Sequence, residues 1–164
     1  MRSHLISAPH SDLCQTAMRT KRPLAVRYAI RYKLLKQSGF DMTIAKNWQR
    51  LEGGITFLSG LLIYWQYADL IPWWMALLAF FAPDLSFSGY VFGARVGALV
   101  YNTVHVYALG AALIALGLFY ALPLLTGMGA LWLAHSGFDR LLGYGLKSAE
   151  GFSFTHMGRI GQAK

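Results

Sequence analysis

The chain has 164 residues, of which 55% are hydrophobic and only 13% charged, with 15 Lys and Arg against 7 Asp and Glu for a net charge of +8. A water-solvated domain of this length carries about a quarter charged residues, so the deficit argues against a soluble fold and for a lipid environment. One cysteine, Cys14, excludes an intrachain disulfide. The basic arm has no aromatic platform or zinc-ligand pattern beside it, which sets nucleic acid aside as a partner in favour of membrane lipids.

The positive charge is concentrated. Ten basic residues precede Leu51, and the others are Arg95, Arg140, Lys147, Arg159 and Lys164. Residues 1–46 read as a basic cytoplasmic extension, irregular over 1–22, with no apolar stretch that would form a secretory leader. Over Arg22–Ser38, Leu24, Tyr28, Tyr32 and Leu35 recur at helical spacing after Pro23. That pattern predicts a short basic helix lying in the membrane interface and ended by Gly39. A solvated tail without a task fits the same residues.

Residues 47–164 read as a transmembrane domain with a folded C-terminal tail. Four apolar segments are expected to span. The first runs from Leu51 to about Ala68. The second runs from Pro72 to near Phe92, kinked at Pro83, because about twenty residues are needed to cross a hydrocarbon core of about 30 Å. The third runs from about Val96 to Phe119 and the fourth from Leu122 to about Leu142. The turns Asp69–Ile71 and Tyr120–Ala121 are short and uncharged by Lys or Arg, and Trp65, Trp73, Trp74 and Tyr120 gather near them as an aromatic belt would. With basic residues at the opposite ends of all four segments, the positive-inside rule places both termini and the Arg95 loop in the cytoplasm. The expected class is therefore all-α: an integral, multi-pass membrane four-helix bundle.

Ionisable side chains in hydrocarbon are costly, so those within the spans mark a functional site by default. Counting inward from the outer turns at about 1.5 Å per residue, Asp84, His105 and His135 fall at about 18–21 Å and come out level. Asn102, Asp139 and Glu52 fall at about 24–26 Å, one turn nearer the cytoplasm. Asn102 and His105 are three apart, and His135 and Asp139 four apart, so each pair shares a helix face turned to the bundle interior.

Two imidazoles with two or three carboxylates on facing helices suit a divalent metal such as zinc, manganese or magnesium. The expected ligands are Asp84, His105, His135 and Asp139, with Asp139 alternatively orienting His135 from behind. A metal there would activate water against a phosphoester or amide arriving from the cytoplasmic leaflet. Glu52 and His156 are the expected catalytic groups, and Asn102, Arg140, Tyr144 and Lys147 the expected substrate-binding ones. Other readings stay open. The same His and Asp residues suit a proton or ion relay. Equal depth of His105 and His135 admits a bis-histidine haem. Asp84–His105 and His135–Asp139 could also be polar pairs that fix helix register alone, as in a non-catalytic membrane-assembly protein. Glu52, near a helix start, could serve only the helix dipole. The tail from Gly143 is expected to fold back through Phe152, Phe154 and Ile160, bringing Thr155, His156 and Arg159 over the site.

The runs RLEGG (50–54), APDLSFSGYVFGARVGALVYNTVHVYALG (82–110), LWLAHSGFDRLLGYGLK (131–147) and GFSFTHMGRIG (151–161) resemble a bacterial family of small membrane proteins, domain of unknown function 4260. The likeness covers about residues 48–161. It implies an inner-membrane protein with four spanning helices and no established activity. A looser similarity, in a Pro-Asp pair followed by His and His-x-x-x-Asp on later helices, is to membrane-bound metal-dependent hydrolases and favours the metal reading.

Overall fold

The computed structural model describes residues 23–161; the expected irregular segment 1–22 and Lys164 lie outside them. The chain divides into two compact units, one ending at Ala45 and one beginning at Lys46. Helix α1, Leu24–Trp65, contributes to both. Gly39 does not end it. A single glycine costs a helix interior about 1 kcal/mol, which is too little to terminate forty residues of otherwise helical sequence. The expected short interfacial helix is thus the first part of a longer one.

From Lys46 onward the unit is mostly helical. After α1 come α2, Trp73–Phe81, and a 3-10 segment, Ala82–Phe92. Then follow α3, Ala94–His105, α4, Tyr107–Phe119, and α5, Pro123–Leu142. The kink expected at Pro83 is a change of helix type: Pro83 stands at the start of the tighter 3-10 winding, where a missing N–H is tolerated. The third apolar segment, expected as one helix, is two. Val106 is extended, with φ −78° and ψ 141°, and the halves bend by 43°.

Helix α5 is the packing centre. Ala130, Leu131, Ala134, His135 and Ser136 are buried in sequence along it. A methyl group at Gly137 would collide with the α1 backbone at Phe57, and one at Gly110 of α4 with the α5 backbone at Leu133. Hydrogen in place of a side chain is what lets these helices approach so closely. Arg50 in α1 also donates from Nε to the Leu141 carbonyl at 2.9 Å, capping the end of α5.

The tail adds short strands to a chain that is otherwise helical, as expected. Beyond α5 it forms a three-stranded antiparallel sheet in the order β1 (Lys147–Ser148), β2 (Gly151–Thr155), β3 (Gly158–Arg159). Lys147 pairs with Thr155, and Phe154 with Arg159. Residues 151–155, GFSFT, alternate aromatic and hydroxyl side chains at the two-residue period of a strand, a signal legible in the sequence. The fold-back occurs in part: Phe152 and Ile160 reach the cavity described below, whereas Phe154, Thr155, His156 and Arg159 do not line it.

Among the described residues one helical stretch, Trp73–Phe92, is long and apolar enough to cross a membrane, and the bent pair α3–α4 makes a second if counted as one span. The apolar end of α1 carries Arg50 and Glu52, and α5 carries His135, Asp139 and Arg140. Neither meets the measure.

Candidate metal centre

Three elements deliver the site. The 3-10 segment supplies Asp84 directly after Pro83, α3 supplies His105 as its last residue, and α5 supplies His135 from its middle. Their ligand atoms meet. His135 Nε2 lies 3.2 Å from His105 Nε2, and Asp84 Oδ1 lies 3.6 Å from His105 Nε2 and 3.5 Å from His135 Nε2. The three residues reckoned level by counting helix rise therefore converge. Both imidazoles are fully buried, whereas the Asp84 side chain is one-third exposed.

The chain breaks at Val106 because α5 takes over hydrogen bonds that α3 leaves open. The last carbonyls of a helix lack intrahelical partners. Trp132 donates from Nε1 to the Val104 carbonyl at 2.7 Å, and Arg140 from Nη2 to the His105 carbonyl at 3.4 Å. Ending α3 there holds His105 at its terminus while keeping its carbonyl occupied. Arg140 also donates from Nη1 to the Tyr144 carbonyl at 2.6 Å. The residue expected to meet substrate is thus buried and engaged with the backbone.

Protonation follows from geometry. His105 Nδ1 stands 2.9 Å from the Tyr101 carbonyl, and a carbonyl only accepts, so the proton of the neutral ring is on Nδ1 and Nε2 offers a lone pair. His135 Nδ1 is buried and has no hydrogen-bond partner among the described residues. If His135 donates from Nε2 to His105, its Nδ1 lone pair is left unpaired. If the proton sits on Nδ1, that N–H is the unpaired group instead, and two imidazole lone pairs and a carboxylate oxygen face one another across little more than 3 Å. The second arrangement calls for a cation.

The residues fit one. A tetrahedral site with bonds of about 2.1 Å has ligand–ligand edges of about 3.4 Å, and the three observed separations bracket that length. Asp84, His105 and His135 could hold a metal ion. They do not fit the haem reading. A gap of 3.2 Å between the two Nε2 atoms leaves no room for a porphyrin with axial bonds of about 2 Å on each side.

Asp139 stands beside this group. Its Oδ2 lies 3.7 Å from His105 Nε2 and accepts the Tyr101 hydroxyl at 2.7 Å. Tyr101 also stacks on His105, ring centroids 3.7 Å apart. It was missed in the sequence, although it lies four residues before His105 on the same helix face.

A cavity of about 360 Å³ opens from the group, lined by Asp84, His135, Asp139, Tyr144, Lys147 and aromatic rings. Lys147 is buried, its ammonium 4.0 Å from the Phe152 ring centroid and 4.9 Å from that of Tyr101. Burial pushes its amine below the ordinary lysine range, against the opposing pull of Asp139.

Other expected site residues stand elsewhere. Asn102 clamps the backbone of Lys147, donating from Nδ2 to its carbonyl at 2.9 Å and accepting its N–H at 2.7 Å. It anchors the tail sheet to α3 and does not line the cavity. Glu52 is exposed on α1, away from the cavity lining. His156 is exposed on the tail, and its Nδ1 accepts the Leu146 N–H at 2.8 Å. Burial and the nearby Arg140 charge lower its basicity.

Fold and site together define a small helical protein with a buried two-histidine, one-aspartate group beside a mixed polar and aromatic cavity. The chain belongs to the family Domain of unknown function (DUF4260), matched over residues 46–160. No curated protein and no solved structure matches it.

Proposed function

We propose that the chain is a metal-dependent hydrolase or transferase embedded in the bacterial inner membrane, acting on a lipid-linked or amphipathic substrate from the cytoplasmic side. The convergence of Asp84, His105 and His135 carries this reading. The membrane part is supported by an inverted distribution of polarity. His105, Thr126, His135, Ser136, Asp139, Arg140 and Lys147 are buried, while Leu58, Leu62, Leu78, Val91, Phe92 and Phe119 lie exposed. Water-solvated monomers rarely show such apolar expanses. Trp65, Trp73, Trp74 and Tyr120 are exposed near the chain's two tight turns, where the outer interface would lie. The four-span topology, with both termini cytoplasmic, follows from the basic residues at the other end.

Three protein ligands leave a further position for water or substrate, the pattern of catalytic rather than structural zinc. A bound divalent ion supplies Lewis acidity and a nucleophile at neutral pH. The chain's own residues do the rest. Tyr101 fixes His105 through its carbonyl and Asp139 through its hydroxyl. Asp139, on the cavity wall, takes the proton released when water attacks. Lys147 holds an anionic portion of the substrate, and Phe81, Phe87 and Phe138 limit access of bulk water. Glu52 and His156 are not needed for these steps.

Metal analysis of the purified chain tests the reading, alongside turnover of short-chain phosphoester and amide amphiphiles. One bound metal per chain is expected, lost together with turnover in His105→Ala and His135→Ala. A wild-type protein that binds no divalent metal overturns it. The direct His105–His135 contact at 3.2 Å favours one other reading, a proton relay; proteoliposome proton flux abolished by His135→Ala without bound metal would select that instead.

A further inference from the structure

Two cavities in this unit share a wall. Along α2 runs an apolar groove of about 580 Å³, lined by Met75, Leu78, Phe81, Leu85 and, from α5, Met128. Phe81 also lines the polar cavity of about 360 Å³. The 3-10 segment turns Leu85 to the groove and the adjacent Asp84 to the cavity. Phe81 is half exposed, and its ring stands edge-on to His135 at 6.3 Å between centroids. Phe81 is thus common to a hydrocarbon-lined groove and to the cavity beside the candidate metal ligands.

The two sides differ in what they accept. The groove offers only hydrophobic side chains. The cavity offers the Lys147 ammonium, while Arg140, the neighbouring cation, has its terminal nitrogens on carbonyls. With a divalent ion on Asp84, His105 and His135, the Lys147 ammonium and the ion together outweigh the Asp84 and Asp139 carboxylates by one positive charge. An anionic head is favoured there, and a phosphate has enough oxygens to face both the ammonium and the ion.

We propose that both cavities belong to one binding site for a phosphate-headed lipid, with its hydrocarbon tail in the α2 groove, its head between Lys147 and the Asp84–His105–His135 group, and Phe81 at the junction. The proposal rests on the metal-site reading above and names its substrate class. It also gives a route of entry: the groove lies on Trp73–Phe92, the stretch apolar enough to face hydrocarbon, so the tail enters sideways from the bilayer.

Native mass spectrometry of the zinc-loaded full chain in detergent tests this, with dioleoyl phosphatidate as probe. Dioleoylglycerol is the headless control and inorganic phosphate the tailless one. Phosphatidate is expected to be retained about tenfold or more over either control. Leu78→Trp, at an exposed position in the groove, should lower phosphatidate retention about tenfold with zinc stoichiometry unchanged. Lys147→Gln should reduce phosphatidate to the level of dioleoylglycerol. Equal retention of phosphatidate and either control, or full retention by Leu78→Trp, overturns the inference. Absence of zinc from the wild-type chain overturns the underlying metal reading, whereas loss of lipid selectivity with zinc in place overturns this inference alone.

Discussion

Two interruptions of helix deliver the site, and they arise in different ways. At Pro83 the change of winding is written locally, since proline lacks the N–H that an α-helix interior requires. At Val106 there is no proline or glycine. The break is held by Trp132 and Arg140, which lie 28 and 35 residues from the carbonyls they bind. The first interruption places Asp84 and the second places His105. A ligand set can therefore be assembled half from local chain chemistry and half from side chains of a distant helix, and only the former is portable to an isolated segment.

Variants that remove one support at a time put this contrast to the test. The largest effect is expected from Arg140→Met. It strips buried partners from the carbonyls of His105 and Tyr144 and should cost about 3 kcal/mol in detergent unfolding, with loss of metal binding. Trp132→Phe keeps an aromatic ring but removes the indole N–H and orphans the Val104 carbonyl; about 2 kcal/mol is expected, with weakened metal affinity. Pro83→Ala should cost only about 1 kcal/mol, since alanine adopts the same φ and mainly gains freedom in the unfolded chain. A Pro83→Ala variant less stable than Trp132→Phe would reverse the assignment of local and distant control.

The smallest effect concerns the tail, which the Asn102 clamp ties to α3 near the second break. His156 has a basicity below its ordinary value of 6.5, from burial first and the Arg140 charge second. The unfolded tail therefore binds the proton more readily than the folded one. The stabilisation is present above about pH 6.5 and is lost as pH falls from there toward the folded value. The protection factor of the Leu146 amide, whose N–H the His156 ring accepts, should fall over that acidic range. In His156→Gln the pH dependence should vanish, and Asp84 with its Pro83 turn should be unaffected in both proteins. An unchanged Leu146 protection factor across that range would remove the tail from the comparison.

How much of this was legible in the sequence differs from residue to residue. Counting helix rise from the turns put Asp84, His105 and His135 at one level, and their ligand atoms do meet, although the counted path crosses a 3-10 segment and a helix break. The break at Val106 was invisible because its stabilising donors belong to another helix. Arg140 looked like a cation waiting for substrate, since a charge count does not reveal backbone carbonyls in need of donors. Asn102 shared a face with His105 as its spacing required, but a face is wide, and a two-bond clamp to Lys147 turned it to the tail sheet. Gly39 was over-read as a stop, whereas the alternation in residues 151–155 was under-read as a strand.

The sequence by itself determined the mostly helical character, because periodicity is a property of the local chain, and the membership of residues 46–160 in their family. Only the tertiary structure decided which polar groups share a centre, which support it and which stand apart. Those outcomes depend on side chains meeting across helices at hydrogen-bond distance, and the partners met there, invisible to counting, separate a candidate metal ligand such as His105 from an anchor such as Asn102 on the same face.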